Sequence, residues 1–229
     1  MPPTTEEVPA LHSDEVQAIL TNPPPLACHF SEPAKIVPMA RFMVTATEQW
    51  VECYVRFLQV CKRIAQNPTA RRFVLRAEVG LLPVQWDCTR IMIYGCAANM
   101  PQDRSRLVAA ETEAGGEEKK RAGEQLAEFD GYMRRLERAQ DKAKRVERDI
   151  EEAYAEYSQN PIPESEDPTA GVSRDALATV GAATMQFEMD EKTCRQVFLR
   201  LAAAGCQCEH CGIAVDQSAT QAAQASLSR

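Results

Sequence analysis

At 229 residues, the chain can hold one or two packed domains, and a hydrophobic content of 45% is sufficient for a core. Aromatic residues make up only 6%, so the sequence predicts a thin, helix-packed core that partner surfaces help to bury. The formal net charge of −7 argues against a nucleic-acid-binding surface and against a polybasic membrane patch. No stretch of roughly 20 residues is free of charged side chains, so no transmembrane segment is expected.

Residues 1–35 are predicted to form an extended, proline-rich arm. Prolines at 2–3 and 23–25 exclude helix on either side of one short candidate at 13–20. The first ten residues lack the apolar segment of a secretory signal. We therefore expect an intracellular protein (cytoplasmic, particle-associated or organellar) that is not secreted.

The region 36–100 is predicted to be a helical core. Apolar residues recur every three or four positions over 39–67, which is typical of a mostly buried helix, and Asn67-Pro68 is expected to stop it. A second helix is predicted to end at Gly80. A third is predicted to begin at Pro83, because proline is favoured at a first helical position and disfavoured in a helix interior.

The region 101–159 is predicted to be a charged, coiled-coil-like helical arm, broken at Gly115-Gly116. From 103 to 158 it carries 12 Lys and Arg against 15 Asp and Glu, so most of its surface must be solvated. One narrow apolar seam runs from Leu126 to Tyr157, with an irregular heptad near Leu136. The seam is too apolar to remain in water, so three settings are open: pairing with a second copy, folding back on the helical core, or docking on another subunit.

Residues 160–172 have the composition of a linker. A small helical unit is predicted at 173–215, with one helix at 173–184, another at 190–204 and a cysteine-rich turn at its end. The serine-, alanine- and glutamine-rich tail at 216–229 is predicted to be disordered. The expected fold class is therefore all-α, with extended termini.

The cysteine-rich turn is the sharpest local motif. Cys208-x-x-Cys211 followed by glycine resembles half of a zinc knuckle, and Cys206 is a candidate third ligand. His210, Cys194 or the distant pair Cys28 and His29 could complete the set. No second C-x-x-C completes the site, so a metal-free turn is the other interpretation, and the expected cofactor is either none or zinc. A thioredoxin-like interpretation of the same residues needs a βαβ unit, which the helical surroundings do not predict.

Nine cysteines is a high and odd number for a chain of this length. Because most lie on apolar helical faces, we expect reduced, buried thiols rather than a disulfide framework. The alternative is a twin-cysteine hairpin in which Cys53 pairs with Cys96, and Cys61 with Cys88. The predicted helix between Cys61 and Cys88 disfavours that hairpin.

The sequence contains no phosphate-binding glycine loop, nucleophile elbow, zinc-protease motif or EF-hand loop, so a non-enzymatic role is expected. The leading hypothesis is a structural or accessory subunit of a large multi-protein assembly, a virus particle or an organellar complex. It would act through docking of the helical arm and through extended termini that bind neighbouring subunits. Its expected partners are other protein subunits and not nucleic acid, and self-association is possible. The alternative hypothesis is a zinc-stabilised adaptor protein that acts through the cysteine-rich turn.

Overall fold

The computed structural model describes residues 33–97, 100–159, 161 and 166–203. Every regular element within these ranges is a helix, which confirms the predicted all-α fold class. The five helices are α1 (Pro33–Ile64), α2 (Pro68–Ala97), α3 (Met100–Glu113), α4 (Gly116–Gln159) and α5 (Arg174–Ala203). Most of the predicted N-terminal arm, the cysteine-rich turn and the C-terminal tail lie outside the described residues.

Helix α1 begins earlier than its apolar pattern predicts. Its first residue is Pro33, at a position where proline sacrifices no hydrogen bond, and Pro38 lies inside the helix. Pro38 removes one backbone hydrogen bond. Ile36 and Val37, which are 1% and 5% exposed, extend the buried face and offset that loss. Asn67 then separates α1 from α2, and its side chain accepts a hydrogen bond from the Thr69 amide at 3.0 Å.

Helix α2 is continuous, so the predicted break between Gly80 and Pro83 is wrong. Both residues lie inside the helix, and Gly80 is exposed. The physical reason is the burial pattern, because Leu82 and Trp86 are 0% and 3% exposed and continue the inward face without a change of phase. Burial of two such side chains outweighs one glycine and one missing hydrogen bond.

The predicted break at Gly115-Gly116 is confirmed. Helix α3 ends at Glu113, and α4 begins at Gly116, which has a φ of 56°. That backbone conformation is readily adopted only by glycine, so the sequence specifies where the chain turns. The 44 residues of α4 then run without interruption.

Helix α5 is also continuous, which corrects the prediction of two helices separated at 185–189. It begins where the sequence predicts, because the Ser173 hydroxyl accepts a hydrogen bond from the Ala176 amide at 3.2 Å. No glycine or proline interrupts 185–189, and Phe187 is only 2% exposed. A buried aromatic residue in the middle of the expected gap stabilises the helix through it.

The chain divides into two compact units, and each unit collects segments that are distant in sequence. Unit 1 contains the described parts of Met1–Gln49, Ile91–Gln140 and Cys194–Arg229. There α3 runs antiparallel to the first part of α4, because Arg104 pairs with Asp130 at 2.7 Å while Glu111 approaches Gly123. Arg135 of α4 also donates to Glu48 of α1 at 3.0 and 2.6 Å.

Unit 2 contains Trp50–Arg90 and the described part of Asp141–Thr193, and it is a four-helix bundle. Helices α1 and α2 form an antiparallel hairpin with a three-residue connection. Two ion pairs, Lys142–Glu52 at 3.1 Å and Lys62–Asp149 at 2.7 Å, show that α4 is parallel to α1. Helix α5 is parallel to α2. Gly171, three residues before α5, lies beside Thr69 at the start of α2, and Phe187 in the middle of α5 packs on Tyr54, which also packs on Trp86.

The seam of α4 is buried within the chain. Of the three settings that the sequence leaves open, the structure therefore shows the second, in which the helix folds back on the others. None of the described helices is both long and apolar enough to cross a membrane. Seven seam residues are between 0% and 6% exposed: Phe129, Leu136, Ala139, Ala143, Val146, Ile150 and Ala153.

Candidate interaction surface on helix α5

The residues that the sequence singles out for metal binding, Cys206, Cys208, His210 and Cys211, lie outside the described part of the chain. Among the described residues, no group of three or more His, Cys, Asp or Glu side chains is arranged to hold a metal ion. The zinc site thus stays a prediction.

Three cysteines that the structure describes, Cys53, Cys61 and Cys194, are buried thiols that form no disulfide. This confirms the expectation of reduced thiols at these positions. It also rules out the twin-cysteine hairpin, which requires both Cys53 and Cys61 to form disulfides. Burial and the nearby Glu78 carboxylate raise the pKa of the Cys61 thiol above its ordinary value, so Cys61 is not an activated nucleophile.

One face of α5 is anchored firmly inside unit 2. The ring of Phe187 packs edge-on against Tyr54 at a centroid distance of 4.9 Å and lies 5.2 Å from Phe57. Asp190, which is 5% exposed, accepts a hydrogen bond from the Gln186 side chain at 2.8 Å and pairs with Arg56 at 3.5 Å. These contacts fix the rotation of α5 about its own axis.

The opposite face of α5 is apolar and exposed. Four residues at steps of four, three and four, namely Ala178, Ala182, Met185 and Met189, all face solvent. Met185 is 67% exposed and Met189 is 59% exposed, whereas a methionine in a soluble fold is usually buried. A run of this kind on one helical face is typical of a surface that contacts another protein.

Charged residues lie at the two ends of this apolar run. Asp175 precedes Ala178 by three residues, and Lys192 follows Met189 by three. Both side chains are exposed, and neither forms an ion pair within the described residues. Together these six residues form the α5 outer stripe: Asp175, Ala178, Ala182, Met185, Met189 and Lys192.

A groove between α1 and α4 in unit 2 is a concave feature of the described surface. Its volume is about 360 Å³, and Val55, Leu58 and Val146 line its apolar floor. Its two carboxylates are already engaged in the Lys142–Glu52 and Lys62–Asp149 ion pairs that join the helices. These pairs stabilise the bundle, so the groove is adequately explained by packing.

Glu78 in unit 2 carries a buried carboxyl group. It is only 4% exposed, and burial raises its pKa to about 7, while Arg71 and Lys62 oppose the rise. Glu156 and Asp149 add to the rise by charge repulsion. Because Glu78 is enclosed among helices, its ionisation changes the stability of the fold.

The sequence contains a signal for the α5 outer stripe, but the predicted helix boundaries hide it. The three-four spacing of Ala178, Ala182, Met185 and Met189 is visible, and the predicted gap at 185–189 divides it. Its orientation also depends on Phe187 being the buried residue, which only packing decides. No family model, no curated protein and no solved structure matches this chain.

Proposed function

We propose that the chain is a non-enzymatic structural or accessory subunit of a multi-protein assembly and that it docks through a helix face. The α5 outer stripe is the observation that carries this proposal. Its central residues present only methyl, methylene and thioether groups, which can pack but cannot act as acid, base or nucleophile. A virus particle and an organellar complex are the two settings that fit such a subunit.

The energetics of the stripe support a docking role. Burying a methionine side chain contributes about 1.5–3 kcal/mol, and Met185 and Met189 are both more than half exposed in the isolated chain. Ala178, Ala182 and the neighbouring Gly181 are small, so a partner helix can approach the backbone of α5 closely. Methionine also adapts its shape to a partner, because its side chain is unbranched and flexible.

The test is a comparison of proteins that co-purify with the native chain and with a variant. Met185→Glu with Met189→Glu places two charges on the stripe, and we expect it to release the bound subunits. A control with the same charge change, Ser158→Glu with Gln159→Glu on exposed positions of α4, should retain them. An identical set of co-purifying proteins for both variants would refute the proposal.

The second candidate function is a zinc-stabilised adaptor, which the C-x-x-C-G motif at 208–212 favours. Cys206, Cys208, His210 and Cys211 would then supply the four ligands of a structural site. Metal analysis of the purified protein should find about one zinc per chain, lost in Cys208→Ser and in Cys211→Ser. Purified native protein without zinc, and unchanged when zinc is added, would exclude this role.

A further inference from the structure

We infer that the occupant of the α5 outer stripe is the α5 helix of a second copy of this chain, packed antiparallel. The inference rests on the proposed function and names the partner of the same surface. It is carried by the order of side chains along the stripe, which is self-complementary in one direction only.

The first argument is spacing. The six residues of the stripe follow steps of three, four, three, four and three, which is the a/d pattern of a heptad repeat. All six are exposed, so the pattern is an open seam. Val180 and Phe187, which lie on the opposite side of α5, are 1% and 2% exposed. The helix therefore has one face committed to its own bundle and a second, regular face available to a partner helix.

The second argument is size. Two copies of α5 can be placed antiparallel about a point between Ala182 and Met185. Ala182 of each copy then faces Met185 of the other. In the same register, Ala178 faces Met189. Each layer of the interface then pairs one long side chain with one methyl group, so that the methionines fill the space above the alanines. A two-fold axis applies every contact twice.

The third argument is charge. The same register places Asp175 of each copy opposite Lys192 of the other, so both ends of the interface carry an attractive pair. A parallel arrangement in the same register would place Asp175 against Asp175 and Lys192 against Lys192. Alignment of the apolar layers thus favours the antiparallel direction, and the charges at the ends specify it.

The size of the stripe sets the expected affinity. From Asp175 to Lys192 it is about 26 Å long. One helix pair of this length buries less surface than a standard protein interface of roughly 1,600 Å². We therefore expect a concentration-dependent dimer with a Kd in the micromolar range or weaker. The two-fold axis closes the interface, so it does not propagate into a filament.

The experiment is sedimentation equilibrium of the full chain and of two charge variants. Asp175→Lys places like charges at both ends of the dimer, as does Lys192→Asp, so each variant alone should weaken self-association at least tenfold. An equimolar mixture should form a heterodimer, because the same register then places a lysine of one chain opposite an aspartate of the other at both ends of the dimer. Wild-type-like dimerisation of either variant, or a mixture that stays monomeric, would overturn the antiparallel register.

A second pair of variants keeps the test informative if a change in the first turn of α5 disturbs folding. Ala182→Glu and Met185→Lys lie in the middle of the helix on exposed positions. Each should be monomeric alone, and the mixture should dimerise because the register places the introduced carboxylate of one chain against the introduced ammonium group of the other. Circular dichroism of each variant should show unchanged helix content, and failure of the mixture to dimerise would again contradict the register.

The outcomes separate this inference from the proposed function. If the wild-type chain stays monomeric at all concentrations while Met185→Glu with Met189→Glu still releases co-purifying subunits, the second copy is excluded and the docking role stands. If the chain dimerises and the charge variants behave as expected, the stripe is a self-association surface. If neither test responds to changes in the stripe, both proposals fail.

Discussion

Helices α4 and α5 differ in which of them leaves an apolar face exposed, and the sequence alone suggests the opposite assignment. Helix α4 is long and highly charged and has a narrow seam, which is the usual pattern of a coiled-coil arm that binds a partner. Yet its seam is buried within the chain, and its outer side in unit 2 carries charged residues such as Lys144, Arg148 and Glu152. Helix α5 has less charge, and its three-four spacing is divided by the predicted gap at 185–189, but Met185 and Met189 lie on its solvent side.

The difference shows that an apolar pattern locates a contact without identifying the partner. The seam of α4 is accompanied by ion pairs to α1 and α2, including Arg71–Glu156 and Arg90–Glu147, which align it inside its own bundle. The α5 outer stripe has no such pairs within the described residues. We expect substitutions on the α4 seam and on the inner face of α5 to affect stability, and substitutions on the stripe to affect association.

The largest effect is expected at the inner face of α5. Phe187→Ala removes a ring that packs on Tyr54 and Phe57 and should lower the free energy of unfolding by about 3–5 kcal/mol. Met185→Ala, two residues away on the outer face, should change it by less than about 0.5 kcal/mol. Urea unfolding at a concentration where the chain is monomeric measures both values. Similar losses for the two variants would show that α5 does not have distinct faces.

The seam of α4 should be nearly as sensitive. Ile150→Ala empties a site that is 6% exposed and should cost about 2–4 kcal/mol. Met189→Ala removes a side chain of similar size from a site that is 59% exposed, so it should be nearly neutral in the monomer. Chemical unfolding of the two variants under identical conditions compares the two helices directly. A neutral Ile150→Ala would mean that the seam is free for a partner after all.

Glu78 should make the stability of unit 2 depend on pH. Its folded-state pKa is raised from 4.5 to about 7, so the folded protein binds this proton more tightly than the unfolded chain. The resulting stabilisation is complete below about pH 4.5 and is lost as the pH rises to about 7. Glu78→Gln stays neutral at every pH. Its free energy of unfolding should exceed that of the wild type by roughly 2–3 kcal/mol at pH 8 and by little at pH 4.

The measurement for Glu78 is the free energy of unfolding of Glu78→Gln minus that of the wild type, followed from pH 4 to pH 8. Glu151→Gln is a change of the same chemistry at an exposed position of α4, so its difference in unfolding free energy from the wild type should not change with pH. A pH-independent difference in unfolding free energy for Glu78→Gln as well would show that the Glu78 carboxyl group is not desolvated among the helices.

The smallest effect concerns the ion pairs of α4. Arg135 donates two hydrogen bonds to Glu48 and lies 5.6 Å from the centre of the Tyr132 ring, so Arg135→Ala should cost about 1–2 kcal/mol. Lys144 pairs with Asp141 of its own helix, and both side chains are about two-thirds exposed. Lys144→Ala should therefore be neutral within about 0.5 kcal/mol. Thermal unfolding at low and high salt distinguishes the two. Equal costs would indicate that α4 is not docked on α1 at Glu48.

The sequence predicts the fold class and those boundaries that local chemistry determines. Asn67-Pro68, Gly115-Gly116 and Ser173 all mark real ends of helices, because each acts through its own backbone or a hydrogen bond within one turn. Gly80 and Pro83 do not interrupt α2, because burial of residues on the same helix outweighs their local preference. Such a balance depends on packing with distant segments.

The candidate surface could be predicted only in part, for the same reason. The spacing of Ala178, Ala182, Met185 and Met189 is present in the sequence, but either α5 face could have been the buried one. Phe187 decides the orientation through its contacts with Tyr54 and Phe57, which lie about 130 residues earlier in the chain. The metal hypothesis for Cys206, Cys208, His210 and Cys211 concerns residues that the structure does not describe, and it stays a prediction.

The buried thiols provide a way to measure local opening of the fold at separate positions. Cys61 in unit 2 is fully buried, and its raised pKa keeps it protonated and slow to react with alkylating reagents. Cys194 is 3% exposed and belongs to unit 1. Each thiol becomes reactive only during an opening event, so its labelling rate, resolved by peptide mass spectrometry, reports a local opening free energy. The two cysteines therefore report opening of the packing at two separate places in the fold, and no external probe has to be attached.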